Sequence, residues 1–202
     1  MVGSGQPSPE TDAFEIVVIC TGNRARSPLV EAFVRQLIGD LPVRVNSAGT
    51  QDLVAEPALA KAVSAARRWG IDLSPHRSRG VRGIDLSSAD LVLGFELSHI
   101  SIAVVECGAP RHRTFTLPEL VELLQLVDTS DPAGIVQRAR ARVALAHEAR
   151  PWQNVGQIPE IADPLEANQR QFDLTAALLR DLSYRLVVAL FTESAGTPPP
   201  RA

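Results

Sequence analysis

The stretch FEIVVIC-TGNRAR-SPLVEAFVRQLI, residues 14–38, decides the fold. Its first seven residues form an apolar run of the length and branching of a strand buried on both faces. Its last twelve carry apolar residues at helical spacing, with Ser27 placed to cap the helix and Pro28 suited to its first position. Between them lies a short turn of small and polar residues. A strand that runs through such a turn into a helix aims several backbone N–H groups, and the positive end of a helix dipole, at one point. A nest of that kind binds anions.

The pattern repeats outward from this unit. Strands are predicted at Val43–Ala48, Ala89–Phe95 and Arg113–Leu117. Helices are predicted at Pro57–Trp69, Leu97–Glu106, Pro118–Val127, Pro132–Ala149 and Glu166–Phe191. Gly70 sits where the second helix must stop. Strands alternating with helices give an α/β protein, a three-layer α/β/α arrangement around a central four-stranded parallel sheet. Ligands of such sheets bind at the carboxyl ends of the strands. The Gly/Ser/Pro-rich residues 1–12 and 194–202 read as disordered tails around a single domain, 13–193.

Bulk properties narrow the functional classes. The chain has 202 residues, is 45% hydrophobic and 21% charged, and carries a formal net charge of −3. That balance provides no overall basic footprint for nucleic acid. No apolar run reaches the ~20 residues needed to span a bilayer, and the N-terminus lacks the charged and apolar regions of a secretory leader, so no membrane insertion is expected. Two cysteines cannot form a disulfide framework or a closed zinc site, and no cluster of metal ligands is evident, so neither metal nor cofactor is expected. A working thiol needs a reducing setting, which favours the cytoplasm.

Within the turn, Cys20 stands at the strand end, facing the nest, where the amides that bind an anion would also stabilise a thiolate. Arg26 follows six residues later, and its planar fork can hold two phosphoryl oxygens. Ser27 can donate its hydroxyl to the sulfur. A bare C-x5-R is a weak signal, and a lone strand-end cysteine is commonly a small buried hydrophobe. The agreement of strand, Gly-Asn turn, helix start and spacing is what gives the motif content.

Cys20-Thr21-Gly22-Asn23-Arg24-Ala25-Arg26-Ser27-Pro28 resembles the C-x-G-N-x-x-R-S-P loop of the low-molecular-weight protein tyrosine phosphatases. Ser47-Ala48-Gly49-Thr50, His76-Arg77-Ser78, Ala89-Asp90-Leu91-Val92-Leu93 and Asp163-Pro164 match further family segments, over roughly 14–125 and 161–190. The resemblance implies a cysteine-dependent phosphomonoesterase, foremost a protein-tyrosine-phosphatase, acting on a phosphorylated protein. Cys20 would be the nucleophile, Arg26 the phosphoryl clamp and Asp163 the general acid. Thr21, Gly22, Asn23, Arg24, Ala25 and Ser27 would line the phosphate loop, and Ser47 and His76 would support it with Asn23. Asp131-Pro132 is a second Asp-Pro pair, and Asp131 stands as the alternative acid. His99, His112 and His147 read as surface residues.

The chain departs from the family pattern in several places. Ala25 replaces a second loop cysteine, and Arg24 stands where an apolar or small residue is usual. Leu53 and Leu165 stand near positions often aromatic, which weakens the stacking that grips a phenyl ring. Residues 126–160 form a longer segment than the family minimum, a helical and loop insertion. Other readings are an arsenate reductase, for which Cys107 is the only further thiol; a phosphatase of phosphoarginine or small phosphate esters; and a non-catalytic phosphate-binding module. The joint presence of Cys20, Arg26 and Asp163 opposes the last.

Overall fold

A computed structural model describes residues 13–127, 134–151 and 158–192. Four strands, β1 (Phe14–Cys20), β2 (Val43–Gly49), β3 (Leu91–Gly94) and β4 (Thr114–Thr116), make one parallel sheet in the order β2-β1-β3-β4. Its helices are α1 (Arg26–Ile38), α2 (Ala60–Arg67), α3 (Leu97–Ser101), α4 (Leu117–Leu123), α5 (Ile135–Glu148) and α6 (Gln169–Phe191). The sheet and its strand positions agree with the sequence reading; the helices are mostly shorter than expected.

Both faces of β1 are buried, as its unbroken apolar run requires. Phe14, Ile16 and Val18 enter the larger core with Leu29, Val30 and Phe33 of α1 and Leu179, Leu186 and Leu190 of α6. Val17 and Ile19 point to the opposite face, against Val81, Leu86, Val92 and Ala103. Residues from all three described stretches share the larger core.

Three expectations are corrected. Ser27 does not cap α1: the helix begins at Arg26 with Ala25 at its N-cap, and Ser27 is buried with its hydroxyl turned toward Cys20. The segment expected as one helix from Leu97 to Glu106 is a short α-helix followed by a π-helical turn, Ile102–Glu106. His99 is 1% exposed and belongs to the site described below, although His112 is exposed. The expected tails, 1–12 and 194–202, and the Asp131-Pro132 pair lie outside the described residues.

The end of α5 is anchored at the edge of the sheet. Arg150, just after α5, is buried against Glu119 at 2.9 Å, stacks 3.8 Å over the Phe115 ring and donates to Thr114 O at 2.6 Å. A buried arginine is tolerated because a carboxylate, a carbonyl and a ring face replace its water.

Candidate active site

The sheet order reverses between β1 and β3: from β1 the chain crosses to β2 on one side, then returns to add β3 and β4 on the other. The loops leaving β1 and β3 therefore part at their carboxyl ends and leave a crevice. Residues 20–26 and 95–99 line it.

The 20–26 loop is held from behind by a network centred on Asn23. Its φ of 51° is left-handed, a conformation asparagine tolerates better than most residues. Its Nδ2 donates to Ser27 Oγ at 3.0 Å and Ser47 Oγ at 2.8 Å. Its Oδ1 accepts from the Arg79 amide at 3.1 Å, and its carbonyl accepts from His76 Nε2 at 2.7 Å. Ser47 in turn donates its hydroxyl to Glu31 on α1. Asn23, Ser47 and His76 thus meet as the resemblance implies; Glu31 and Arg79 are additions the sequence reading missed. Gly49 permits this packing, since a Cβ there would lie 2.9 Å from Thr21 O and 3.0 Å from Asn23 N.

Cys20, 2% exposed, has its sulfur 3.0 Å from Ser27 Oγ. Ser27 already accepts from Asn23, so its hydroxyl hydrogen is free for the sulfur or for Ala48 O at 3.3 Å. Behind the sulfur stands a donor, never a competing charge.

Arg26 is 1% exposed and almost fully saturated. Nη1 pairs with Glu96 and donates to Ile161 O at 2.8 Å. Nη2 donates to Thr21 Oγ1 at 3.2 Å and to Asp163 Oδ2 at 2.6 Å. Nε alone has no acceptor, and it is the one buried side-chain polar atom among the described residues without a hydrogen bond. Nε and Nη2 share one edge of the planar guanidinium, the edge that grips a phosphoryl group bidentately.

Asp163 reaches the site because residues 159–161 are pinned across the strand ends. Ile161 N donates to Phe95 O at 2.8 Å, Thr116 Oγ1 to Pro159 O at 2.9 Å, and Leu97 N to Glu160 Oε1 at 2.6 Å. The Asp163 side chain is 38% exposed, and Oδ1 accepts from the Leu165 amide at 3.1 Å, an Asx turn that orients the carboxylate.

The remaining rim residues are placed as follows. Arg24 donates from Nε to Pro57 O at 2.8 Å and lies 3.8 Å from Glu56, so it ties the loop to the start of α2 with its charge partly offset. Leu53 packs beside Gly22, Ala25 is buried, and Leu165 is largely exposed. Among the described residues no group of side chains could hold a metal ion, and no helix is long and apolar enough to cross a membrane.

A buried thiol, an amide-rich turn, an arginine whose buried Nε alone lacks an acceptor and a nearby carboxylate, all at the mouth of a four-stranded parallel sheet, define the class: an α/β phosphatase with its phosphate loop between first strand and first helix. The chain belongs to the low molecular weight phosphotyrosine protein phosphatase family, whose sequence pattern matches residues 15–149. It is 33% identical over 113 residues to the low molecular weight protein-tyrosine-phosphatase Etp of Escherichia coli K12, covering 56% of this chain and 75% of the relative. It is 36% identical over 109 residues to a protein-arginine-phosphatase of Bacillus subtilis, covering 53% and 72%. The solved low molecular weight protein tyrosine phosphatase of T. tengcongensis superposes with a TM-score of 0.64 at 25% identity, over 87% of this chain and 98% of that one.

Proposed function

We propose that the protein is a cysteine-dependent phosphatase of phosphorylated protein side chains, with phosphotyrosine as its preferred substrate. The observation that carries this reading is the Arg26 guanidinium: buried, clamped on its far edge by Glu96 and Ile161 O, and left with a bare Nε–H toward Cys20's loop. Burying an unpaired donor costs about 1–3 kcal/mol, a cost that a bound phosphoryl oxygen removes.

In the first step Cys20 Sγ attacks phosphorus, forming an S–P bond as the ester P–O bond breaks. Asp163, in its acid form, gives its proton to the departing oxygen. The loop amides and the Nε/Nη2 edge of Arg26 hold the equatorial oxygens, where charge is concentrated in a loose transition state. Water then attacks phosphorus; Asp163 takes its proton, the S–P bond breaks, and Ser27 Oγ donates to the thiolate as it leaves. Substrate must displace Asp163 from Nη2, so phosphate binding itself frees the acid.

Phosphoarginine is the second reading, favoured by the similarity to protein-arginine-phosphatases. Arg24 at the loop rim opposes it, because a guanidinium there repels the guanidinium of that substrate, whereas a phenyl ring carries no charge. Location in the cytoplasm is part of the proposal and rests on the need for a reduced Cys20. Turnover of para-nitrophenyl phosphate, phosphotyrosine peptides and phosphoarginine peptides tests the activity and its substrate class. Wild type should hydrolyse the tyrosine peptides fastest and Cys20→Ser none of the three; turnover retained by Cys20→Ser ends the nucleophile assignment.

A further inference from the structure

His99 lies on α3, in the loop that leaves β3 across the crevice from Cys20. Its Nδ1 is approached by two backbone donors, Phe95 N and Glu96 N, both at 3.2 Å. Two N–H groups can meet only a lone pair, so Nδ1 is unprotonated and the ring hydrogen sits on Nε2. Nε2 lies 3.1 Å from Thr21 Oγ1 and therefore donates to it. Arg26 Nη2 donates to the same oxygen at 3.2 Å. A hydroxyl has two acceptor positions and one hydrogen. Both acceptor positions of Thr21 are filled, which leaves its hydrogen for a third partner.

We propose that His99 and Thr21 form an uncharged strut that fixes the Nε/Nη2 edge of Arg26 toward the phosphate and turns the Thr21 O–H into a further donor to the bound oxyanion. The proposal rests on the phosphatase reading above and adds His99 as a positioning residue. Gly94 lets α3 pack close to the end of β3: a Cβ there would lie 2.9 Å from both His99 Cβ and Ile100 Cδ1. The groups facing the ring are Arg26, Glu96, Asp163 and Glu160, along with Thr21 and the two amides. Burial, then the Arg26 charge, push the imidazole down to about 4 against the pull of the three carboxylates. The strut therefore stays neutral, with its hydrogen on Nε2, throughout the range in which such an enzyme works.

The test uses the full chain and four variants, Thr21→Val, Thr21→Ser, His99→Gln and His99→Phe, with the Thr21→Val/His99→Phe double. Measured are kcat and KM for para-nitrophenyl phosphate across pH, the affinity for inorganic phosphate by calorimetry, and the His99 ring nitrogens by ¹⁵N NMR in wild type. Thr21→Val should lose about tenfold in kcat/KM and in phosphate affinity, as for one hydrogen bond to a charged group. Thr21→Ser, which keeps the hydroxyl, should stay within about threefold of wild type, and the double variant should be no worse than the poorer single. His99→Gln should lower the pH profile without moving its limbs, and the wild-type ring should show the Nε2–H form between about pH 5 and 8. A Thr21→Val enzyme equal to wild type, fully multiplicative losses in the double variant, or an ionisation limb that vanishes with His99 overturns the proposal. Each of those outcomes leaves wild-type turnover intact, whereas failure of the phosphatase reading would show as a wild-type chain without it.

Discussion

Replacing Asp163 by asparagine should weaken catalysis and strengthen oxyanion binding at once. Its Oδ2 sits 2.6 Å from Arg26 Nη2, on the same edge that the phosphate must take. A phosphate dianion therefore competes with a carboxylate for one hydrogen and meets its negative charge. A hydrogen bond between charged partners is worth about 1.5–3 kcal/mol when shielded. Arg26 is 1% exposed but the Asp163 side chain is 38% exposed, so solvent screens the pair and about 1 kcal/mol is the fair figure. That corresponds to roughly fivefold tighter phosphate or vanadate binding by Asp163→Asn. The kcat for an alkyl or aryl ester with a poor leaving group should fall by ~10²–10⁴, and less for para-nitrophenyl phosphate, whose leaving oxygen needs little help. Binding is measured by calorimetry in a Cys20→Ser background, which separates affinity from turnover, with Asp163→Ala as a check on any residual bond from the amide. If the asparagine variant binds phosphate no better than its parent, Asp163 does not compete for the Arg26 fork. If its kcat is unchanged, the proton comes from elsewhere.

Gly49→Ala should cost about 1–3 kcal/mol in stability and loosen phosphate binding, because the new methyl meets backbone atoms of residues 21–23 that cannot move aside; denaturant unfolding and phosphate calorimetry read both. Arg150→Met should destabilise by about 3–5 kcal/mol by stranding Glu119, and adding Glu119→Leu should recover part of that loss; an additive double variant refutes the ion-pair account. Stability should also fall on acidification. The folded chain holds His99 near 4 while the unfolded chain protonates it near 6.5, so this contribution is complete above about pH 6.5 and is lost as pH falls toward 4. At most about 3 kcal/mol is involved, and a His99→Gln variant should lack that part of the slope in thermal unfolding between those limits. Arg24→Ile should narrow any preference for phosphotyrosine over phosphoarginine peptides by only a few-fold, since Glu56 at 3.8 Å already offsets part of the charge; a preference identical in both proteins at low salt removes Arg24 from the specificity account.

Features that depend on neighbours along the chain were legible before any fold was known. The apolar run 14–20, the Gly22-Asn23 turn and the amphipathic helix after it specify strand, nest and helix within 25 residues, and Cys20, Asn23 and Arg26 are placed by that local geometry. The alternation of strands and helices in the later segments pointed to the layer architecture, because helical crossovers between parallel strands lie on the faces of the sheet. The rest of the site was reachable only through tertiary structure. Glu96 and His99 carry no periodic signal. They matter because β3 lies beside β1 at the point where the sheet order reverses, which brings residues 70 to 78 positions away onto Arg26 and Thr21. Glu31, which no local motif marks, ends the hydrogen-bond chain from Asn23 through Ser47. Ser27 carried a misleading local signal: a serine before a proline suits an N-cap, but Cys20 at the end of β1 offered a sulfur and Asn23 in the loop a side-chain amide, and those contacts drew its hydroxyl inward. A protonation state, a tautomer or an unpaired donor depends on which groups face one another across the fold, and a sequence sets that only by way of the packing it produces.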